Sequence, residues 1–172
     1  MREWHAFGVI SEGPQSGMHY MLITSLGDFT KELIADPPSQ VYTRIFKFVG
    51  LPYTVQLYSK CLGVATGSGL GISFSLLLQG DSLHLLWIAS DVQAVYGSKV
   101  LDLLDRVDQR RITIYDPKIQ GRTDLGKLAV ASARNMQAEA VFVTSNRARG
   151  TNLIVDACRV AGIAAFGPIF DS

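Results

Sequence analysis

The sequence has few of the residues that build disulfide scaffolds or metal centres. Only two cysteines, Cys61 and Cys158, occur among its 172 residues, and each lies in an apolar stretch. Two distant thiols do not make a disulfide framework, and the three histidines are isolated and lack zinc-ligand spacing. We therefore expect two buried, reduced thiols and no metal site.

Excess charge is also missing. Sixteen basic residues face 15 acidic ones, which leaves a formal net charge of +1. A balanced chain of this kind gives no reason to expect a nucleic-acid partner. No apolar run is long enough for a membrane span, and the polar, aromatic N-terminus does not resemble a signal peptide. We expect a cytoplasmic chain, or the cytosolic part of a larger protein, with no direct membrane segment.

Apolar residues are abundant, and their arrangement predicts an α/β fold. The chain is 48% hydrophobic, as is typical of parallel sheets that are buried on both faces. From residue 60 onward, short apolar runs alternate with amphipathic segments. This alternation predicts a doubly wound parallel sheet of about five strands. Before it, residues 4–10 and 18–25 suggest a β-hairpin, and residues 29–35 a short helix that ends at Pro37.

A glycine-rich stretch between the first buried strand and the first helix is the most informative motif. Glycines allow a backbone to approach a phosphate closely, and the helix start behind them offers free N–H groups. The hydroxyls of Thr66 and Ser68 are additional donors. The spacing is neither the standard dinucleotide fingerprint, because Ile72 replaces its third glycine, nor a Walker motif. A tight turn without a ligand is the alternative. The residues predicted to bind a cofactor here are Thr66, Gly67, Ser68, Gly69 and Gly71.

The stretch Ala65–Gly71 resembles the pyrophosphate loop of the ferredoxin–NADP reductase superfamily, which usually reads Gly-Thr-Gly-Thr-Gly-Ile-Ala-Pro. Later segments follow the superfamily's order. Leu85–Ser90 is similar to its second strand, Val141–Thr144 to the strand that ends in Cys-Gly-Pro, and Val160–Ile163 to the step before its last strand. The resemblance implies a nicotinamide-nucleotide-binding domain over residues 60–172.

The two ends of the chain carry the same resemblance. Gly27–Thr30 resembles a Gly-Asp-Trp-Thr motif at a helix that faces the flavin pyrophosphate, which implies flavin contacts for Asp28 and Thr30. The C-terminal stretch from Ala165 is similar to that of fungal integral-membrane flavoprotein-like and adenylate-forming synthetase-like proteins. In the superfamily a terminal aromatic ring covers the flavin, which implies this role for Phe170.

The resemblance also implies roles near the nicotinamide and the ribose. Thr144 replaces the cysteine that lies near the hydride-donating carbon, and Asn146 belongs to the same motif. Ser90 and Asp91 follow the second strand, where the adenosine ribose is held. An aspartate there repels a 2′-phosphate and accepts from a 2′-hydroxyl, so NADH fits better than NADPH. Alternatively, Asp91 is only a helix cap.

The implied function is an NAD(P)H-binding module of a flavin-dependent oxidoreductase. Residues 1–59 match only part of a flavin domain and a linker, so FAD is not expected to bind tightly to this chain alone. The flavin would be held with another domain or a partner. Two alternatives stay open: a flavin-free lyase, isomerase or cyclase of secondary metabolism, and a non-catalytic domain that interacts with a larger synthetase. Arg147 and Arg149 either contact a phosphate or carboxylate or belong to a solvated loop.

Overall fold

A computed structural model describes residues 5, 7–13, 15–25, 27–42, 54–80, 82–145 and 148–168 of the chain. It confirms the predicted fold class, because a five-stranded parallel sheet carries helices on both faces and follows a short antiparallel hairpin and a helix. The N-terminal elements are β1 (Val9–Ser11), β2 (His19–Met21) and α1 (Asp28–Ala35). In the part of the chain that is described, no helix is both long enough and apolar enough to span a bilayer.

The larger part of the fold alternates strands and helices. It comprises β3 (Cys61–Thr66), α2 (Leu70–Leu78), β4 (Leu83–Ile88), α3 (Val92–Leu104), β5 (Ile112–Tyr115), α4 (Leu125–Asn135), β6 (Ala140–Thr144), α5 (Ala148–Val160) and β7 (Ala164–Phe166). Short 3-10 turns cover Val55–Leu57, Gly67–Gly69 and Gln109–Arg111.

The order of the strands creates a topological switch point. The sheet runs β5-β4-β3-β6-β7, so the chain begins in the middle and winds outward in both directions. Between β3 and β6 the direction of winding reverses, and their registers align Ala65 with Thr144. In open α/β sheets, ligands bind at the carboxyl ends of the strands beside this point.

The core explains why the sheet is so apolar. Alternate residues of each strand point to opposite faces. One face packs on α2 and α3 and includes Ala65 and Trp87, whereas the other packs on α4 and α5 and includes Leu62 and Val64. Because both faces are covered, β3 is buried along nearly its whole length.

The N-terminal hairpin packs against α2. Ile10 of β1 belongs to the same core cluster as α2 and α3. Ser11 and Ser75 exchange two hydrogen bonds of 3.1 Å each, one through the backbone N–H of Ser11 and one to its carbonyl oxygen. The hairpin therefore shares the core of the α/β part. The division of the chain at residue 59 stays a prediction.

The glycine-rich stretch forms a 3-10 turn over Gly67–Gly69 that continues into α2. The apolar periodicity of the sequence predicts an amphipathic helix over Gly97–Arg106. In the structure this helix, α3, begins earlier, at Val92, and Gly97 interrupts it with a φ of 73°. Periodicity could not show the earlier start, since Gly97 allows a kink that joins two short helical segments.

Candidate active site

A cavity of about 1260 Å³ lies at the carboxyl ends of the central strands. Thr66, Gly67 and Ser68 line it from the end of β3, Ser90 from the end of β4 and Ser145 from the end of β6. Apolar side chains from the segment after β2 and from α1 form the opposite wall, including Leu22, Ile23, Leu33 and Ile34. The cavity thus has a polar edge at the switch point and an apolar side.

Gly67 takes a backbone conformation that favours glycine. Its φ is +55°, which is in the left-handed region. The indole N–H of Trp87 donates a hydrogen bond of 2.9 Å to the Gly67 carbonyl oxygen. Because Trp87 is fully buried in the neighbouring strand β4, this bond anchors the start of the turn to the sheet.

Gly69 packs against β6. A Cβ at this position would lie only 2.3 Å from the carbonyl oxygen of Thr144, which is closer than atoms can approach. Glycine therefore lets the start of α2 sit directly on the end of β6. Gly71 lies two residues further, and a Cβ on it would be 3.2 Å from the Gly8 carbonyl oxygen. Neither Gly69 nor Gly71 lines the cavity, and both pack closely against neighbouring backbone.

Two hydroxyl pairs connect the turn to β6. Thr66 Oγ1 donates a 2.7 Å hydrogen bond to Ser145 Oγ at the cavity edge. Beneath it, the Ser73 and Thr144 hydroxyls are 3.2 Å apart, and both residues are buried. Thr144 is thus paired with α2 and is not part of the cavity lining. Its neighbour Ser145 occupies that lining.

Tyr96 and Arg149 bring further polar groups to the cavity. The Tyr96 ring meets Trp87 edge-on, with a centroid distance of 4.8 Å and an angle of 66°. Burial raises the pKa of Tyr96 above its ordinary value, which is already well above neutral pH, so the hydroxyl is protonated. Among the described residues that line the cavity, Arg149 is the one with a charged side chain. An anionic ligand would meet a single positive charge and several hydroxyls.

Asp91 is held outside this cavity. Its carboxylate forms an ion pair with Lys118, and its N–H donates a 3.0 Å hydrogen bond to Asp116. Hydrogen bonds from the N–H groups of Asp91 and Lys118 hold the pKa of Asp116 below its usual value. The Asp91 side chain does not cap α3 and instead lines a separate cavity of about 760 Å³. Ser90 and Asp91 therefore lie on different cavities.

The expected flavin contacts are at the start of α1. Asp28 is fully exposed and lies 3.8 Å from Lys31 Nζ. Thr30 Oγ1 accepts a hydrogen bond from the Gly27 N–H and donates one to the Gly27 carbonyl. Neither side chain lines the cavity. Asn146 and Phe170, also expected at the site, lie outside the described residues.

A family comparison identifies the relatives of this chain. The model of the family described as "Adenylate-forming reductase 03009, C-terminal domain" matches residues 51–172. The chain belongs to this family. The matched range contains the entire parallel sheet and all the cavity-lining residues from Thr66 onward.

Two curated proteins of Coprinopsis cinerea match the whole chain. Adenylate-forming reductase 03009 is 30% identical and adenylate-forming reductase 06235 is 31% identical, each over 173 residues. The chain spans 17% of the length of each relative. Two structures of the dehydratase TcdA, one of them E. coli tRNA N6-threonylcarbamoyladenosine dehydratase, share 14% and 17% identity with TM-scores of 0.39 and 0.41. They cover 67% of this chain and 54% and 51% of their own chains.

The sequence prediction did not include every residue that the fold brings to the cavity. Tyr96 was missed because the helix was expected to start at Gly97, one residue later. Its signal was an aromatic residue shortly after the second strand of a nucleotide-binding series. Ser145 was overlooked beside Thr144, since only the fold shows which of two neighbouring side chains reaches the cavity.

Proposed function

We propose that the chain binds a nicotinamide nucleotide through its diphosphate at Thr66–Gly69 and serves as a redox module. One observation carries the proposal: the glycine-rich start of α2 opens on a large cavity at the switch point of a doubly wound sheet. The first N–H groups of a helix have no partner within the helix. Together with the partial positive charge of the helix start, they attract phosphate oxygens.

The space in front of the turn is open to a ligand among the described residues. In that part of the chain, apart from the neighbours of Gly67, one atom lies within 4 Å of a Cβ placed on it, the Tyr96 hydroxyl oxygen at 3.6 Å. Ligand oxygens can therefore approach the backbone there. The hydroxyls of Thr66 and Ser68 and the guanidinium of Arg149 line the same space. Charge-assisted hydrogen bonds of this kind are about twice as strong as neutral ones.

The redox part of the proposal rests on the relatives and on the family resemblance. The relatives are called adenylate-forming reductases. The nicotinamide would supply hydride, and this chain would orient it and exclude water. Ser145 would lie beside the nicotinamide, in place of the cysteine of the ferredoxin–NADP reductase superfamily. The acceptor would be a flavin held with another domain or partner. Asp28 and Thr30, the expected flavin contacts, do not line the cavity, because Asp28 pairs with Lys31 and Thr30 hydrogen-bonds to Gly27.

NADH is the favoured coenzyme in this proposal. Ser90 lines the cavity at the end of β4, where the adenosine ribose would lie. The Asp91 carboxylate would accept a hydrogen bond from the 2′-hydroxyl across the boundary between the two cavities. Lys118 partly neutralises that carboxylate, so discrimination against the 2′-phosphate of NADPH would be modest.

A thermal-shift panel with NADH, NADPH, FAD and AMP tests the proposal. NADH at about 100 times its dissociation constant should stabilise the fold by about 2.7 kcal/mol. For a domain of this size the midpoint should rise by about 5 to 10 °C. Arg149→Ala should reduce the shift, whereas Arg134→Ala, at an exposed position on α4, should not. If no nucleotide moves the midpoint, the proposal is wrong.

A redox-neutral enzyme is the second candidate. The burial of Thr144 favours it. This residue corresponds to the cysteine of the ferredoxin–NADP reductase superfamily, but its hydroxyl contacts Ser73 and it does not line the cavity. This function predicts turnover of a metabolite without NADH or FAD. The measurements are the absorbance of NADH in the presence of FAD and an artificial electron acceptor, and the conversion of candidate metabolites without either cofactor. Oxidation of NADH that depends on the chain supports the redox module, and cofactor-free turnover of a metabolite supports the alternative.

A further inference from the structure

Tyr96 is half-buried, and its hydroxyl lies beside the glycine-rich turn. It lies 3.6 Å from the position that a Gly67 Cβ would occupy, and the side chain lines the cavity. Within the part of the chain that is described, no protein group hydrogen-bonds to this hydroxyl. Because the hydroxyl has no described protein partner and lines the cavity, it can donate a hydrogen bond to a ligand there.

We propose that the Tyr96 hydroxyl is a binding group that donates a hydrogen bond to a phosphate oxygen of the bound dinucleotide. This inference rests on the proposed function and adds a specific residue to it. A diphosphate bound at Thr66–Ser68 would lie within reach of the phenol, because Tyr96 lines the same cavity. A phenol is protonated at neutral pH, and burial raises the pKa of Tyr96 further.

The position of Tyr96 is fixed by the same residue that fixes the turn. Trp87 contacts the Tyr96 ring edge-on and donates its N–H to the Gly67 carbonyl. The buried Trp87 side chain therefore positions both the backbone at Gly67 and the Tyr96 ring beside it. Gly97, with a φ of 73°, ends the helical turn that carries Tyr96 and lets α3 change direction immediately after it. Such preorganisation reduces the entropy cost of binding.

The test compares Tyr96→Phe with Tyr58→Phe in the full chain. Both changes remove only a hydroxyl from an aromatic ring, and Tyr58 packs on Phe142 and Phe166 away from the cavity lining. NADH affinity is measured by calorimetry, and inorganic pyrophosphate is used as a competitor. Tyr96→Phe should weaken both NADH and pyrophosphate by about tenfold, as expected for a lost hydrogen bond to a charged group. Tyr58→Phe should leave both affinities unchanged.

The unfolding midpoint without ligand separates binding from structure. It should be nearly the same for the Tyr96→Phe variant and the unaltered chain, because the ring and its contact with Trp87 remain. Equal NADH affinity in both proteins would overturn the role of Tyr96 and leave the proposed function intact. A weaker NADH affinity with unchanged pyrophosphate affinity would also overturn it, since the hydroxyl would then act away from the phosphates. Failure of the unaltered chain to bind NADH would overturn both.

Discussion

Replacing Gly69 with alanine sets two effects of opposite sign against each other. The backbone of Gly69 has φ −62° and ψ −7°, which alanine adopts without strain. In an open helical position, the change would stabilise the fold by up to about 1 kcal/mol, because alanine loses less conformational entropy than glycine. Here the new methyl group would lie 2.3 Å from the Thr144 carbonyl oxygen and 2.8 Å from its carbon.

The steric effect should win. The obstructing atoms belong to the backbone at the end of β6, which is paired with both β3 and β7, and not to a flexible side chain. The turn and the strand must separate by roughly one ångström to restore ordinary contact. Forced overpacking of this kind costs about 1 to 3 kcal/mol, and more where the backbone must move. We expect a net loss of about 2 kcal/mol and a midpoint lower by about 4 to 8 °C.

Urea unfolding and NADH titration would measure both consequences. Gly69→Ala should lower the unfolding free energy and weaken NADH binding, because the separation displaces the turn from Ser145. Gly17→Ala is the control, since no atom of the described residues lies within 4 Å of its added methyl group. A Gly69→Ala protein as stable as the unaltered chain, with the same NADH affinity, would refute the described packing of the turn.

Three other predictions concern groups around the site and in the core. Trp87→Phe should lower the unfolding free energy by about 2 kcal/mol or more in urea titrations, because the Gly67 carbonyl loses its donor; an unchanged value would contradict this. Burial raises the pKa of Cys61 from 9.0 to about 11. Its contribution to stability should therefore be complete below pH 9 and decline as the pH rises toward 11, because the unfolded thiol ionises first; Cys61→Ala should flatten that decline in unfolding measured between pH 8 and 10.5. Lys118→Ala should expose the charge of Asp91 and weaken NADPH binding more than NADH binding. Equal affinity changes for the two coenzymes would argue against a ribose role for Asp91.

The sequence predicted the fold well because the strand and helix signals are strong and local. Buried runs such as Cys61–Thr66 and Ala140–Thr144 are continuous, and helices separate them. The hairpin was harder, since β1 and β2 have three residues each and depend on packing against α2. No local pattern could show that Ile10 would enter the core of the α/β part.

The site was predicted only in part, because its geometry depends on contacts distant in sequence. Glycine composition correctly marked the turn, but it could not distinguish Gly67, which faces the cavity, from Gly69, which faces β6. Asp91 was expected near the ribose. Its ion pair with Lys118 joins residues 27 positions apart, and no spacing rule reveals such a pair. Sequence reasoning located the turn, Thr66, Ser68 and Ser90, but it missed Tyr96 and Ser145 beside them.

The central claim is that the backbone around Gly67 binds a diphosphate, and amide NMR tests it most directly. NADH would be titrated into the isotope-labelled full chain while the backbone N–H signals are followed. We predict the largest changes at Gly67, Ser68 and Gly69, with further changes at Ser145. Saturating NADH that leaves these signals in place, or that shifts only residues away from the cavity, would contradict the account.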